Sequence, residues 1–160
     1  MTELLFQKGA TGLIPACEEA AEWLRKKKIG ATILVEPREP RNGAFFKKWW
    51  ALVELGYGYW KDSVVTIEFR GERVLPEFNR FRKDVTILAG FYYSVVNLKG
   101  EVRIEPESLK WASMSEETFT KLYDATIQVL LQKVFNGKIC QHWTEEQLRR
   151  VANEVLSFAA

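Results

Sequence analysis

The sequence predicts an α+β fold, a small antiparallel sheet covered on one face by about four helices. Three observations predict it. The chain has 160 residues, 47% hydrophobic and 28% charged, values of one globular core, so 1–160 reads as a single domain. Apolar residues recur at helical spacing in several stretches, and short β-branched or aromatic runs bounded by Gly, Pro and Asn lie between them. No repeat, low-complexity tract or linker interrupts the chain.

The elements follow in order. Leu4–Lys8 and Thr11–Pro15 read as a hairpin about Lys8-Gly9-Ala10. Ala16–Lys28 is helical, with Glu18 and Glu19 in the first turn and Arg25 to Lys28 in the last, as the helix dipole favours. Gly30 stops it, and Ala31–Glu36 (ATILVE) reads as a third strand closed by Pro37 and Pro40. Asn42 to about Leu55 forms a helix with Phe45, Phe46, Trp49, Trp50, Leu52, Val53 and Gly56 on one broad arc. Ala44, Lys47, Ala51 and Glu54 lie opposite, with Lys48 at the edge. Trp49 is expected to be buried, the two lysines to face water, and Gly56–Trp60 to form the exit.

Val64–Phe69 fits a short strand or an irregular loop, with a turn at Gly71-Glu72-Arg73 before Val74-Leu75. Pro76–Asp84 reads as a short helix. Val85–Ala89 and Phe91–Val96 read as strand material broken at Gly90, Glu101–Glu105 as the returning strand after the Asn97–Gly100 turn, and Leu109–Ala112 as an added edge. Ser115 caps a long helix carrying Phe119, Leu122, Tyr123, Ile127 and Leu130, which Asn136-Gly137 terminates. Thr144-Glu145-Glu146-Gln147 is a capping box opening a last helix.

No stretch reaches the ~18 apolar residues of a membrane span, and Met1–Leu5 lacks the order of a secretory signal, so the expected location is cytoplasmic, with no membrane partner. Cys17 and Cys140 are isolated, giving neither a disulfide framework nor a zinc knuckle. The net charge of +2 is unevenly spread: residues 38–83 are net +4, and 84–160 net −2.

Hydrolases and transferases draw on a nucleophile with a base, a carboxylate pair or a metal cage, and this chain has one histidine, His142. Cys140, His142 and Cys17 imitate only part of a metal site. Glu68, Glu101, Glu105 and Glu107 would have to converge in a cleft to make a metal-dependent nuclease. The Glu and Arg of the EVRIE run instead suit the solvent face of an edge strand. Its glycines form no phosphate-binding loop. No enzymatic activity, catalytic residue, metal ligand or cofactor is therefore expected. What remains is the interleaving of basic and aromatic residues at Arg38-x-x-Arg41, Lys47-Lys48-Trp49-Trp50 and Arg80-Phe81-Arg82-Lys83. Cationic groups neutralise phosphates while aromatic faces stack bases, as grooves for single-stranded nucleic acid require.

The segment Pro40–Val53, with Arg41-Asn42, Phe45, Lys47-Lys48, Trp49-Trp50 and Ala51-Leu52, resembles an uncharacterised family of small bacteriophage proteins. Ala89-Gly90-Phe91-Tyr92-Tyr93, the stretch Ser108–Tyr123 and Leu156-Ser157-Phe158-Ala159 extend that resemblance over nearly the whole chain. More remotely, the strand, Arg-containing turn and Lys-Lys/aromatic helix are similar to the phage NinB (Orf) recombination mediators, although Phe45-Phe46 stands where those proteins place Gln-Asn. That resemblance implies a dimer that binds single-stranded DNA and engages the host single-strand-binding protein. Arg41, Lys47, Lys48 and Trp49 match its motif.

The expected function is a phage accessory factor of DNA recombination or replication, binding single-stranded DNA through Arg41, Lys47, Lys48, Arg80, Arg82 and Lys83. The alternative is a protein-interaction module that inhibits or adapts a host enzyme. One continuous basic face favours the first. A large exposed apolar patch without such a face favours the second.

Overall fold

The computed structural model describes residues 4–35, 43–64 and 67–158. Its chain contacts divide it into two units, 1–38 and 39–160. The fold is α+β. In the first unit β1 (Phe6–Lys8) pairs antiparallel with β2 (Leu13–Pro15), Lys8 opposite Leu13. The Gly9 N–H closes their turn on the Gly12 carbonyl at 2.7 Å. Helix α1 (Glu18–Arg25) follows, shorter than expected, and buries Ala20. Residues 31–35 are not the predicted strand: they have no regular structure, and Leu34 is 97% exposed. A β-branched run satisfies its backbone only when another strand pairs with it, and none does among the described residues.

The second unit is built on α2 (Gly43–Ser63), packed against a 3₁₀ turn (Trp111–Ser113) and three helices, α3 (Phe78–Leu88), α4 (Glu116–Lys133) and α5 (Glu145–Phe158). Trp49 is 1% exposed, as expected. Its indole N–H donates to the Thr126 hydroxyl at 2.9 Å, and that hydroxyl donates in turn to the Leu122 carbonyl at 2.7 Å. Ala51, expected toward solvent, is buried, because α2 is covered from more sides than one apolar arc implies.

Nor does α2 stop at Gly56. A Cβ there would lie 2.6 Å from Leu130 Cδ2, so this glycine lets α4 approach instead of ending the helix, and two further turns follow it. The α4 N-cap is as read: Ser115 Oγ accepts from the Thr118 N–H at 3.1 Å. The capping box of α5 is reciprocal, Thr144 N–H to Gln147 Oε1 at 2.8 Å and Gln147 N–H to Thr144 Oγ1 at 3.2 Å. Between these helices Phe135 stacks on Trp143 with centroids 4.3 Å apart, and Tyr59 of α2 meets both rings edge-on.

The remaining strands form two further hairpins, β3 (Ile67–Phe69) with β4 (Glu72–Val74) and β5 (Tyr92–Val96) with β6 (Val102–Pro106). The described strands thus make three separate two-stranded ladders, not one sheet. Each ladder is closed by its own short turn and followed by helix, which keeps strands of different hairpins out of register. Val85–Ala89, read as strand material, is the end of α3 and its C-cap, where Val85 and Thr86 are buried and packing overrides β propensity. Leu109–Ala112 is no edge strand, because Trp111 turns into the core beside Trp49, at 5.4 Å.

The two α2 glycines should respond oppositely to alanine. Gly58 has open space around its absent Cβ, so Gly58→Ala should stabilise the protein by about 0.5–1 kcal/mol through helix propensity. Gly56→Ala should forfeit that gain to overpacking against Leu130, which costs about 1–3 kcal/mol. Urea unfolding of the two variants checks the difference.

Candidate functional site

Of the six basic residues proposed for nucleic acid, the five described ones do not share one face. Lys47 is exposed on α2, with no ion-pair partner among the described residues. Lys48 leaves the helix on another flank, where its Nζ lies 4.8 Å from the Tyr123 ring centroid on α4. Arg149 of α5 approaches the same ring at 5.8 Å and is bridged to Asp124 and Glu145, both at 2.8 Å. Burial alone would lower its pKa, but the hydrogen bonds to these carboxylates raise it overall, so the Arg149 charge is already matched by two acids.

On α3, Arg80 donates to Asp84 at 2.5 Å. That hydrogen bond raises its pKa, burial opposes it, and the charges of Asp84, Glu105 and Glu77 add to the increase, so Arg80 sits among acids. Arg82 leans over Trp50, its guanidinium carbon 5.9 Å from the ring centroid, and its Nε is buried without a hydrogen-bond partner. Lys83 is half-buried. Trp50 follows Lys47 by three residues, so Lys47 and Arg82 share a flank, whereas positions 48 and 50 are ~160° apart on the helix. Arg41 lies outside the described residues.

One of the glutamates and one of the thiols have partners of their own. Glu101 accepts from Asn97 Nδ2 at 2.9 Å and from Arg103 at 3.1 Å. Cys140 donates its thiol to the Tyr59 carbonyl at 3.4 Å. Among the described residues, no three His, Cys, Asp or Glu side chains group as a metal site.

The β5–β6 hairpin stands where the sequence placed it, and what sequence reasoning missed is the exposure of its apolar side. Cross-strand partners share a face, so Tyr92, Ser94 and Val96 stand beside Pro106, Ile104 and Val102 on one side. That side carries no charge, and Val96 and Val102 are 70% and 68% exposed. The opposite side holds Tyr93 and Val95 with Glu105 and Arg103. Leu98, in the connecting turn, is fully exposed. The alternation of Val102 and Ile104 with Arg103 and Glu105 gave one polar and one apolar side, and a covering helix was expected over the apolar one. Helix α3 packs against β6, yet Val96, Val102 and Ile104 of that side stay largely exposed. The signal available in the sequence was the uncharged run Tyr92-Tyr93-Ser94-Val95-Val96.

A family model described as a protein of unknown function, DUF1367, matches residues 1–80 and 70–158. The chain belongs to the DUF1367 family. No curated protein and no solved structure matches it. The two matched stretches together take in every described helix and hairpin of this DUF1367 member, the β5–β6 hairpin included. Among its described residues, no helix is long and apolar enough to cross a membrane.

One titration in this region is set by the fold. Burial holds the Tyr123 phenol above its ordinary value, Arg149 opposing and Asp124 adding to the increase. The folded protein therefore keeps its proton where the unfolded chain has lost it. Stability from this source is fully present below about pH 10 and is lost as pH rises through the folded value. Urea unfolding between about pH 9 and pH 11.5 should show a steeper alkaline decline for the wild type than for Tyr123→Phe.

Proposed function

We propose that this DUF1367 member is a non-enzymatic protein-interaction module that docks a partner on the apolar side of the β5–β6 hairpin, acting as a phage-encoded adaptor or inhibitor of a host enzyme in the bacterial cytoplasm. The observation that carries the reading is the bare, charge-free side of that hairpin. Val96, Val102 and Ile104 are 70%, 68% and 50% exposed together on that side, and contiguous exposed apolar surface marks interaction sites. The division of the cations between two flanks of α2, with Arg80 and Arg149 paired to acids, supports the same reading.

A second reading rests on a different observation. Arg82 has a buried Nε without a partner, lies over Trp50 and shares that flank with exposed Lys47. A phosphate would bridge the Arg82 guanidinium and Lys47 while a base stacks near the indole, as in single-stranded DNA binding by a recombination or replication factor. Such binding would use Lys47 and Arg82, and the host single-strand-binding protein would be a partner.

Two measurements separate the readings. Val102→Lys with Ile104→Lys charges the hairpin at exposed positions. Immobilised wild type should retain a stoichiometric host protein that this variant loses and Lys47→Ala keeps; identical retention by all three overturns the docking surface. Fluorescence anisotropy of a labelled single-stranded oligonucleotide should show no tight binding. Salt-sensitive binding abolished by Lys47→Ala with Arg82→Ala, and untouched by the hairpin variant, would establish the second reading in its place.

A further inference from the structure

The β5 strand has a second free element, its outer edge, and the register says which atoms lie there. The Asn97 N–H donates to the Glu101 carbonyl and the Glu107 N–H to the Phe91 carbonyl, both at 3.0 Å, so the odd-numbered residues of β5 are those hydrogen-bonded to β6. The N–H and C=O groups of Tyr92, Ser94 and Val96 therefore point away from β6. No strand pairs with them among the described residues, and all five residues of β5 are exposed. Natural edges are guarded by charge, proline or a bulge. β6 has Arg103, Glu105 and Pro106, whereas Tyr92–Val96 has none of these.

We infer that a second copy of this chain pairs with β5 along this edge, antiparallel about a two-fold axis at Ser94, to form a four-stranded sheet in the order β6-β5-β5-β6. The strand is complementary to itself in that register. Ser94 meets the partner's Ser94 as a hydrogen-bonded pair exchanging both N–H···O=C bonds. Tyr92 stands opposite the partner's Val96 and Tyr93 opposite the partner's Val95, aromatic against β-branched on both faces. No residue of β5 is charged, so the two-fold brings no like charges together. Such contacts are isologous and closed, giving a dimer and not a filament. The inference rests on the reading of this hairpin as an interaction element, but it concerns the edge, and it joins the apolar sides of two hairpins into one wider surface for the docked protein.

Sedimentation equilibrium of the full chain across micromolar concentrations is the test. The expected species is a dimer of twice 18.6 kDa. Ser94→Pro removes one edge N–H per copy, hence two intermolecular hydrogen bonds, without touching the β6 ladder, and should weaken the dimer about tenfold to a hundredfold. Circular dichroism checks that this variant folds. Ser94→Lys and Ser94→Glu should each be monomeric, and an equimolar mixture of the two should regain the dimer. A monomeric wild type overturns the inference, and so does a dimer that survives Ser94→Pro but is lost in Val102→Lys with Ile104→Lys, which would mean packing by faces. Capture of a host protein by a monomeric wild type would leave the docking surface standing and remove only the self-pairing, so the two failures are distinguishable.

Discussion

The crossing of α2 on α4 is the constraint on which the second unit depends. It is set by one absent side chain and one hydrogen bond: Gly56 admits Leu130, and the Trp49 indole finds the Thr126 hydroxyl. A buried indole N–H left without an acceptor costs about 1–3 kcal/mol, a large part of the stability of an ordinary domain. Thr126 meets that need from a helix interior, where its hydroxyl already bonds back to Leu122. Around this contact the aromatic residues close the core, Phe45 stacking on Phe119 at 4.3 Å and Trp111 tilting against Trp49.

The same crossing determines where the cations go. Packing three helices and a 3₁₀ turn around α2 leaves it narrow strips of free surface, and adjacent lysines are sent to different strips. Lys48 becomes a lid over Tyr123, and Lys47 remains in water. A basic pair in the sequence is thus two separate electrostatic features in space. The hairpins are each closed by their own ladder, and the β5–β6 hairpin meets the helices where β6 packs against α3.

Much of the fold was legible because it is written in local chemistry. Ser115 and the Thr144–Gln147 box announce helix starts through hydrogen bonds made within four residues, and the burial of Trp49 followed from the arc of its neighbours. What was not legible depends on residues far away in sequence. Gly56 reads as a helix end until Leu130 is placed against it, and Val85 reads as strand until packing claims it. The hairpin at Tyr92–Pro106 was legible as a hairpin, with its sides correctly alternating. Its exposure was not, since an apolar side implies a cover whether that cover comes from the same chain or another. For the basic residues, spacing gave membership of a helix but not the neighbours on each flank, and those neighbours decide which charges are free.

The distance along the chain between Trp49 and its acceptor, 77 residues, has a consequence for the protein while it is being made. At synthesis rates of about 5–20 residues per second, α2 waits roughly 4–15 s before Thr126 exists to receive it. During that interval Phe45 and Trp49 are aromatic rings on a nascent chain that still lacks α4, the helix that carries their partners Phe119 and Thr126. The segment that organises the finished core is therefore made well before the helix that completes it.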